Sequence, residues 1–181
     1  MTYKKSVLGF GELAAVKRDF FAKNPLGFWV ASMMAGAYVG MGILLIFSVG
    51  QTVDPSVRNL IMGVSFGVAL TLVVFAGSEL FTGYTMYMAF GWLTGKVTIS
   101  DALRLWAVTW AGNLFGSALL AGLFVMGGGG IVLQGGGEIL LHSIAIKKMS
   151  APGIELFARA LLCNWLVCLA IWGASRTEND M

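Results

Sequence analysis

The chain has 181 residues, 57% of them hydrophobic and 12% charged, with a mean hydropathy of +0.81. A soluble domain carries about 25% charged residues, so this composition excludes an ordinary soluble globular fold, and the lack of polar low-complexity tracts excludes a disordered one. The net charge of +3 is spread over short connecting segments, so it reports membrane topology rather than a nucleic-acid partner.

Residues 1–27 carry Lys4, Lys5, Lys17, Arg18 and Lys23, and the apolar stretch after them is a full span in length. No secretory leader is therefore expected. Phe10, Leu13, Val16, Phe20 and Phe21 can share one helical face, which predicts an amphipathic helix on the cytoplasmic membrane surface. An ordinary polar N-terminus is the alternative.

A membrane span needs about 20 apolar residues to cross roughly 30 Å of hydrocarbon. Residues 28–50, 105–126 and 154–174 fit that length. Together with residues 59–92 they outline a transmembrane domain over 28–174, followed by a tail at 175–181. With the N-terminus in the cytoplasm, eight basic residues fall inside and three outside, leaving Arg159 within the fourth span uncounted. Gly36 and Gly40, Gly63 and Gly67, and Gly112 and Gly116 each make a GxxxG pair, the pattern of a tight bundle or oligomer.

The stretch Gly127 to Gly137 holds seven glycines but no Gly-Lys-Ser or Gly-Lys-Thr ending, so it reads as a flexible extramembrane connection rather than a phosphate-binding loop. Cys163 and Cys168 lie about 140° apart around a helix, so they cannot pair with each other and are expected to be buried structural thiols. No metal-ligand spacing, paired carboxylates or nucleophile motif is present, so neither metal nor other cofactor is expected. A membrane enzyme built on Glu79 and His142 has little to work with.

The second apolar stretch is the unusual one. Asn59 to Trp92 is 34 residues, and as a straight helix it would run about 51 Å. That is long for one span and short for two. Its middle reads Gly77-Ser78-Glu79-Leu80-Phe81-Thr82-Gly83, a carboxylate and two hydroxyls bracketed by glycines. A charge at the centre of a membrane helix costs roughly 2.5–3.5 kcal/mol, so Glu79 needs a partner or a cavity. Irregular backbone at that depth survives only where protein buries it or water reaches it. An interruption over 77–83 would then mark a permeation site. A long tilted helix, with Glu79 snorkelling from a bend, is the alternative.

The segment Ala76-Gly77-Ser78-Glu79-Leu80-Phe81-Thr82-Gly83 and the run Leu161-Leu162-Cys163-Asn164-Trp165-Leu166-Val167-Cys168-Leu169-Ala170-Ile171-Trp172 resemble the formate/nitrite transporter family. Asn24-Pro25 and Trp110-Ala111-Gly112-Asn113 support the match, and the resemblance covers the whole chain. It implies an all-α polytopic membrane protein with an aquaporin-like helical fold of inverted halves, an interrupted second transmembrane helix, and four of the usual six spans present. It also implies a homopentamer in the bacterial inner membrane, with lipid and nitrite or a related small monovalent anion such as formate as partners. The Asn-Pro-Ala repeats of water and glycerol channels are absent.

The resemblance also suggests roles. Thr82 is similar to a pore-facing threonine, Leu80 to an inner apolar constriction, and Phe66 and Leu70 to other pore-lining residues. Lys148, with Glu155 seven residues on, resembles the lysine that makes the pore electropositive, and Asn164 an asparagine near its centre. Gly77, Ser78, Glu79 and Gly83 would shape the loop, with Glu79 accepting from loop N–H groups. The family's central histidine belongs to a later span, and His142 does not match it. A non-conducting membrane fragment is the second reading.

Overall fold

The structure is a computed structural model, and it describes residues 2–176; the rest of the expected tail, 177–181, lies outside the described residues. The described residues form helices joined by turns, without strands: α1 (Tyr3–Lys23), α2 (Pro25–Gly50), α3 (Arg58–Ser65), α4 (Gly67–Phe75), α5 (Phe81–Leu93), α6 (Ile99–Met126), α7 (Gly130–Leu133), α8 (Gly137–Met149) and α9 (Gly153–Ala174). Four stretches are long and apolar enough to cross a membrane: Pro25–Gly50, Arg58–Phe75, Ile99–Met126 and Gly153–Ala174.

Local chemistry sets the boundaries. Asn24 ends α1, and its side-chain oxygen accepts from the Gly27 N–H at 2.9 Å to start α2, with Pro25 at the first helical position. Thr98 and Asp101 cap α6 reciprocally: the Thr98 hydroxyl accepts from the Asp101 N–H, while the Asp101 carboxylate accepts from the Thr98 N–H.

Parallel helices α2 and α6 form the tightest pair. A side chain at Gly36 would collide with the backbone of Asn113, and one at Gly116 with the carbonyl of Met33. Two of the three GxxxG pairs thus serve one helix crossing inside the chain. The third, Gly63 and Gly67, faces open space. The main core gathers Phe28, Tyr84, Met88, Ala102 and Leu105 around Ala14 of α1. Phe47, Met62 and Val132 form a second cluster at the opposite end.

The N-terminal segment is a helix, α1, and its apolar face packs on the bundle: Phe10 and Ala14 are buried, and Phe10 stacks on Tyr87, Phe90 and Trp172 at centroid distances of 5.6–6.0 Å. Several expectations need correction. Val16, expected on the apolar face, points outward. The glycine-rich connection contains helix α7, because burying Val132 against Phe47 and Met62 outweighs weak local propensity. His142 and Lys148 lie on α8 and are exposed. Both cysteines are free, but Cys163 is exposed and Cys168 only partly buried, because α9 leans on α5 and buries Ile171 alone. The end of α9 returns to α1, where the Arg176 guanidinium donates to the Ser6 hydroxyl at 3.2 Å.

Candidate functional site

The long second stretch breaks between α4 and α5, and each end is finished by an identifiable group. Gly77 takes φ +72°, the left-handed conformation that suits glycine, and the Ser78 N–H closes back on the Val73 carbonyl at 3.2 Å. Helix α5 then starts with no cap of its own, since Leu80 offers no acceptor side chain. Asn113 of α6 substitutes: its side-chain oxygen accepts from the Phe81 N–H at 2.8 Å. Its amide nitrogen donates to the carbonyls of Ser32 (2.8 Å) and Glu79 (2.9 Å). One side chain thus ties the break to both α2 and α6. The Glu79 N–H is satisfied by the Ala31 carbonyl at 3.2 Å.

Glu79 is buried, 5% exposed, which makes its partners decisive. Its carboxylate accepts from the Lys17 ammonium at 2.6 and 2.7 Å and from the Tyr84 hydroxyl at 2.8 Å. This corrects the expected role: Glu79 is held by side chains of α1 and α5, not by loop N–H groups. The break is also shorter than the expected 77–83, because α5 resumes at Phe81. Thr82 and Gly83 therefore sit in its first turn. A second irregularity, at Phe66 between α3 and α4, had no sequence signal.

A cavity of about 380 Å³ opens beside the break, lined by Lys17, Val73, Ser78, Leu80, Tyr87 and Ile171 among others. Leu80 thus projects into a largely apolar space bounded by α1, α4, α5 and α9. On the α9 side lies a small polar cluster. The Asn164 amide donates to the Thr85 hydroxyl at 2.9 Å, and the Thr85 hydroxyl donates to the Thr82 carbonyl at 2.7 Å. The Cys168 thiol also donates to that carbonyl, at 3.4 Å. Two atoms in the cluster are shut from solvent without a hydrogen-bond partner among the described residues, the Thr82 hydroxyl and the Asn164 side-chain oxygen.

Of the residues singled out from sequence, the structure brings Gly77, Ser78, Glu79, Leu80, Thr82, Gly83 and Asn164 to one region. Phe66 is exposed at the α3/α4 junction, and Leu70 is half-buried a turn further on. Neither lines the cavity. Lys148 shares no hydrogen bond or ion pair with the break, and Glu155 pairs instead with Arg159 at 2.7 Å. Sequence reasoning missed Lys17, Tyr84, Thr85 and Cys168 as site residues, and Asn113 as the cap. One signal was available: the α1 face Phe10, Ala14, Lys17, Phe21 is apolar except for one lysine.

The family model for formate/nitrite transporters matches residues 12–181. The chain belongs to the formate/nitrite transporter family. It is 54% identical over 158 residues to the nitrite transporter NirC of Escherichia coli, covering 87% of this chain and 58% of that protein. It is 56% identical over 161 residues to NirC of Salmonella typhimurium, with the same coverage. Among solved structures it superposes on an FNT family ion channel with a TM-score of 0.92 and 48% sequence identity, over 98% of this chain and 70% of that one. The chain therefore spans 58% of the length of these curated relatives. The family and the apolar helices together make it a multi-pass membrane protein with an interrupted second transmembrane helix.

Proposed function

We propose that the chain forms the wall of a membrane pathway for nitrite and related small monovalent anions, and that the broken second helix is its working element. The observation that carries this reading is the buried, unpartnered Thr82 hydroxyl in the first turn of α5, a donor that an anion can engage. A buried polar atom without a partner costs about 1–3 kcal/mol, and a solute that hydrogen-bonds there removes the cost.

The chemistry follows from the two kinds of lining. Leu80 and Ile171 reject hydrated ions of either sign, because stripping water from a charge in an apolar space is expensive. The Thr82 hydroxyl can donate to an anion, and the N-terminal end of α5 adds partial positive charge. The selection is for a small anion that can shed its water. Phe66, Leu70 and Lys148 would line the pathway further from the break, completed by packing not seen within the described residues. Gly77, Ser78, Glu79 and Gly83 hold its shape. Similarity to NirC favours nitrite over formate and favours transport, rather than catalysis or an inert membrane fragment.

The finer placement belongs to the same reading: the bacterial inner membrane, a cytoplasmic N-terminus and a homopentamer. The excess of basic residues on the α1 side supports that orientation. The test is nitrite uptake into proteoliposomes bearing the purified protein. Thr82→Val should lower nitrite flux about tenfold, the factor equivalent to one lost hydrogen bond of about 1.4 kcal/mol. Leu80→Ala should admit chloride. Unchanged nitrite flux and unchanged chloride exclusion in both variants would overturn the reading.

A further inference from the structure

At the N-terminal ends of α2 and α6, where both spans meet the membrane surface, a cavity of about 350 Å³ lies outside the pathway proposed above. Arg18 of α1 and Arg104 of α6 stand on its walls, and Phe21, Pro25 and Leu105 form an apolar floor. The Arg104 guanidinium lies 4.9 Å from the Phe21 ring centroid, stacked but with no hydrogen bond or ion pair among the described residues, so its N–H edge is free to donate. Arg18 is fixed in place by its neighbours: it donates to the Lys96 carbonyl at 3.1 Å and to the Asp19 carboxylate at 2.8 and 3.0 Å.

The one carboxylate on the wall, Asp101, is engaged by the Thr98 N–H and hydroxyl at 2.9 and 2.7 Å. Lys23, in the last turn of α1, adds positive charge near the rim. Leu26 and Leu103, next in sequence to the lining residues Pro25 and Arg104, are both well exposed and offer apolar side chains suited to acyl chains.

We infer that this cavity binds the phosphate of an anionic phospholipid, with Arg104 donating to the phosphate oxygens, Arg18 adding positive charge from the opposite wall, and Leu26 and Leu103 against the acyl chains. A guanidinium with a free N–H edge suits a phosphate, and an apolar floor at the interface favours a lipid over a fully hydrated anion. The lipid would clasp α1 to α6 and so steady the helix that carries Lys17.

Native mass spectrometry of the purified protein in neutral detergent tests this, with phosphatidylglycerol, phosphatidylcholine and inorganic phosphate titrated separately and in competition. Phosphatidylglycerol should be retained about fivefold better than phosphatidylcholine, and Arg104→Gln should abolish the preference. Arg104→Lys, which keeps the charge but not the planar stacking, should keep part of it. If Arg104→Gln loses helical circular dichroism, Arg18→Gln tests the opposite wall. Equal retention of the two lipids by the unaltered protein would overturn the inference, as would full preference in the glutamine variant that folds. Displacement of the lipid by millimolar inorganic phosphate would also overturn it, assigning the cavity to free phosphate.

Discussion

The two sides of the helix break are built on opposite rules. On the α1 side the buried side chains at the break have partners: Glu79 holds Lys17 and Tyr84, and Asn113 bonds the Glu79 carbonyl and the Phe81 N–H. On the α9 side the Thr82 hydroxyl and the Asn164 oxygen are left without one. Both sides are shielded from water, so solvent access does not explain the difference. A satisfied buried network rigidifies, whereas an unsatisfied one is a place for something else to bind. The first side is scaffold and the second is where a solute belongs.

The comparison breaks most visibly if the scaffold side tolerates damage. Lys17→Ala leaves the Glu79 carboxylate buried without its cation, and thermal unfolding in detergent should show a loss of about 3 kcal/mol. A variant as stable as the parent would mean that the ion pair does not hold the break. Asn113→Leu strands the Phe81 N–H and two carbonyls, and the same measurement should show about 2 kcal/mol lost. Hydrogen exchange should then rise first at residues 76–83.

How much of this could be seen in the sequence divides along the same line. The break announced itself, because Gly77 and Gly83 bracket a carboxylate inside an apolar run too long for one span. Its exact end did not. The cap on Phe81 comes from Asn113, 32 residues away, and no local pattern encodes a cap on another helix. The partner of Glu79 is more distant still, 62 residues back on α1. A buried carboxylate demands a cation, but choosing Lys17 requires knowing that α1 docks on the bundle through Phe10 and Ala14. Helix α7 was hidden for a related reason: tertiary burial of Val132, not propensity, holds it. Cys163 misled in the other direction, since an apolar helix that packs on α5, and on α1 only at its C-terminal end, leaves most of its length exposed.

The solute side should show the reverse pattern, small effects on stability. Asn164→Leu removes an unpartnered oxygen along with the bonds to the Thr85 hydroxyl and the Cys168 sulfur, so unfolding should shift by no more than about 1 kcal/mol. Nitrite flux should nevertheless fall, because the lost amide N–H no longer holds the Thr85 hydroxyl on the Thr82 carbonyl.

Thr82→Val gives the sharpest contrast, since it replaces a hydroxyl that holds no partner with a methyl of nearly the same volume. Nitrite flux and unfolding free energy measured on the same preparation test the account most directly. The prediction is a flux about tenfold lower, with stability unchanged or raised by about 1 kcal/mol. Unaltered flux with lowered stability would contradict it and return Thr82 to the scaffold.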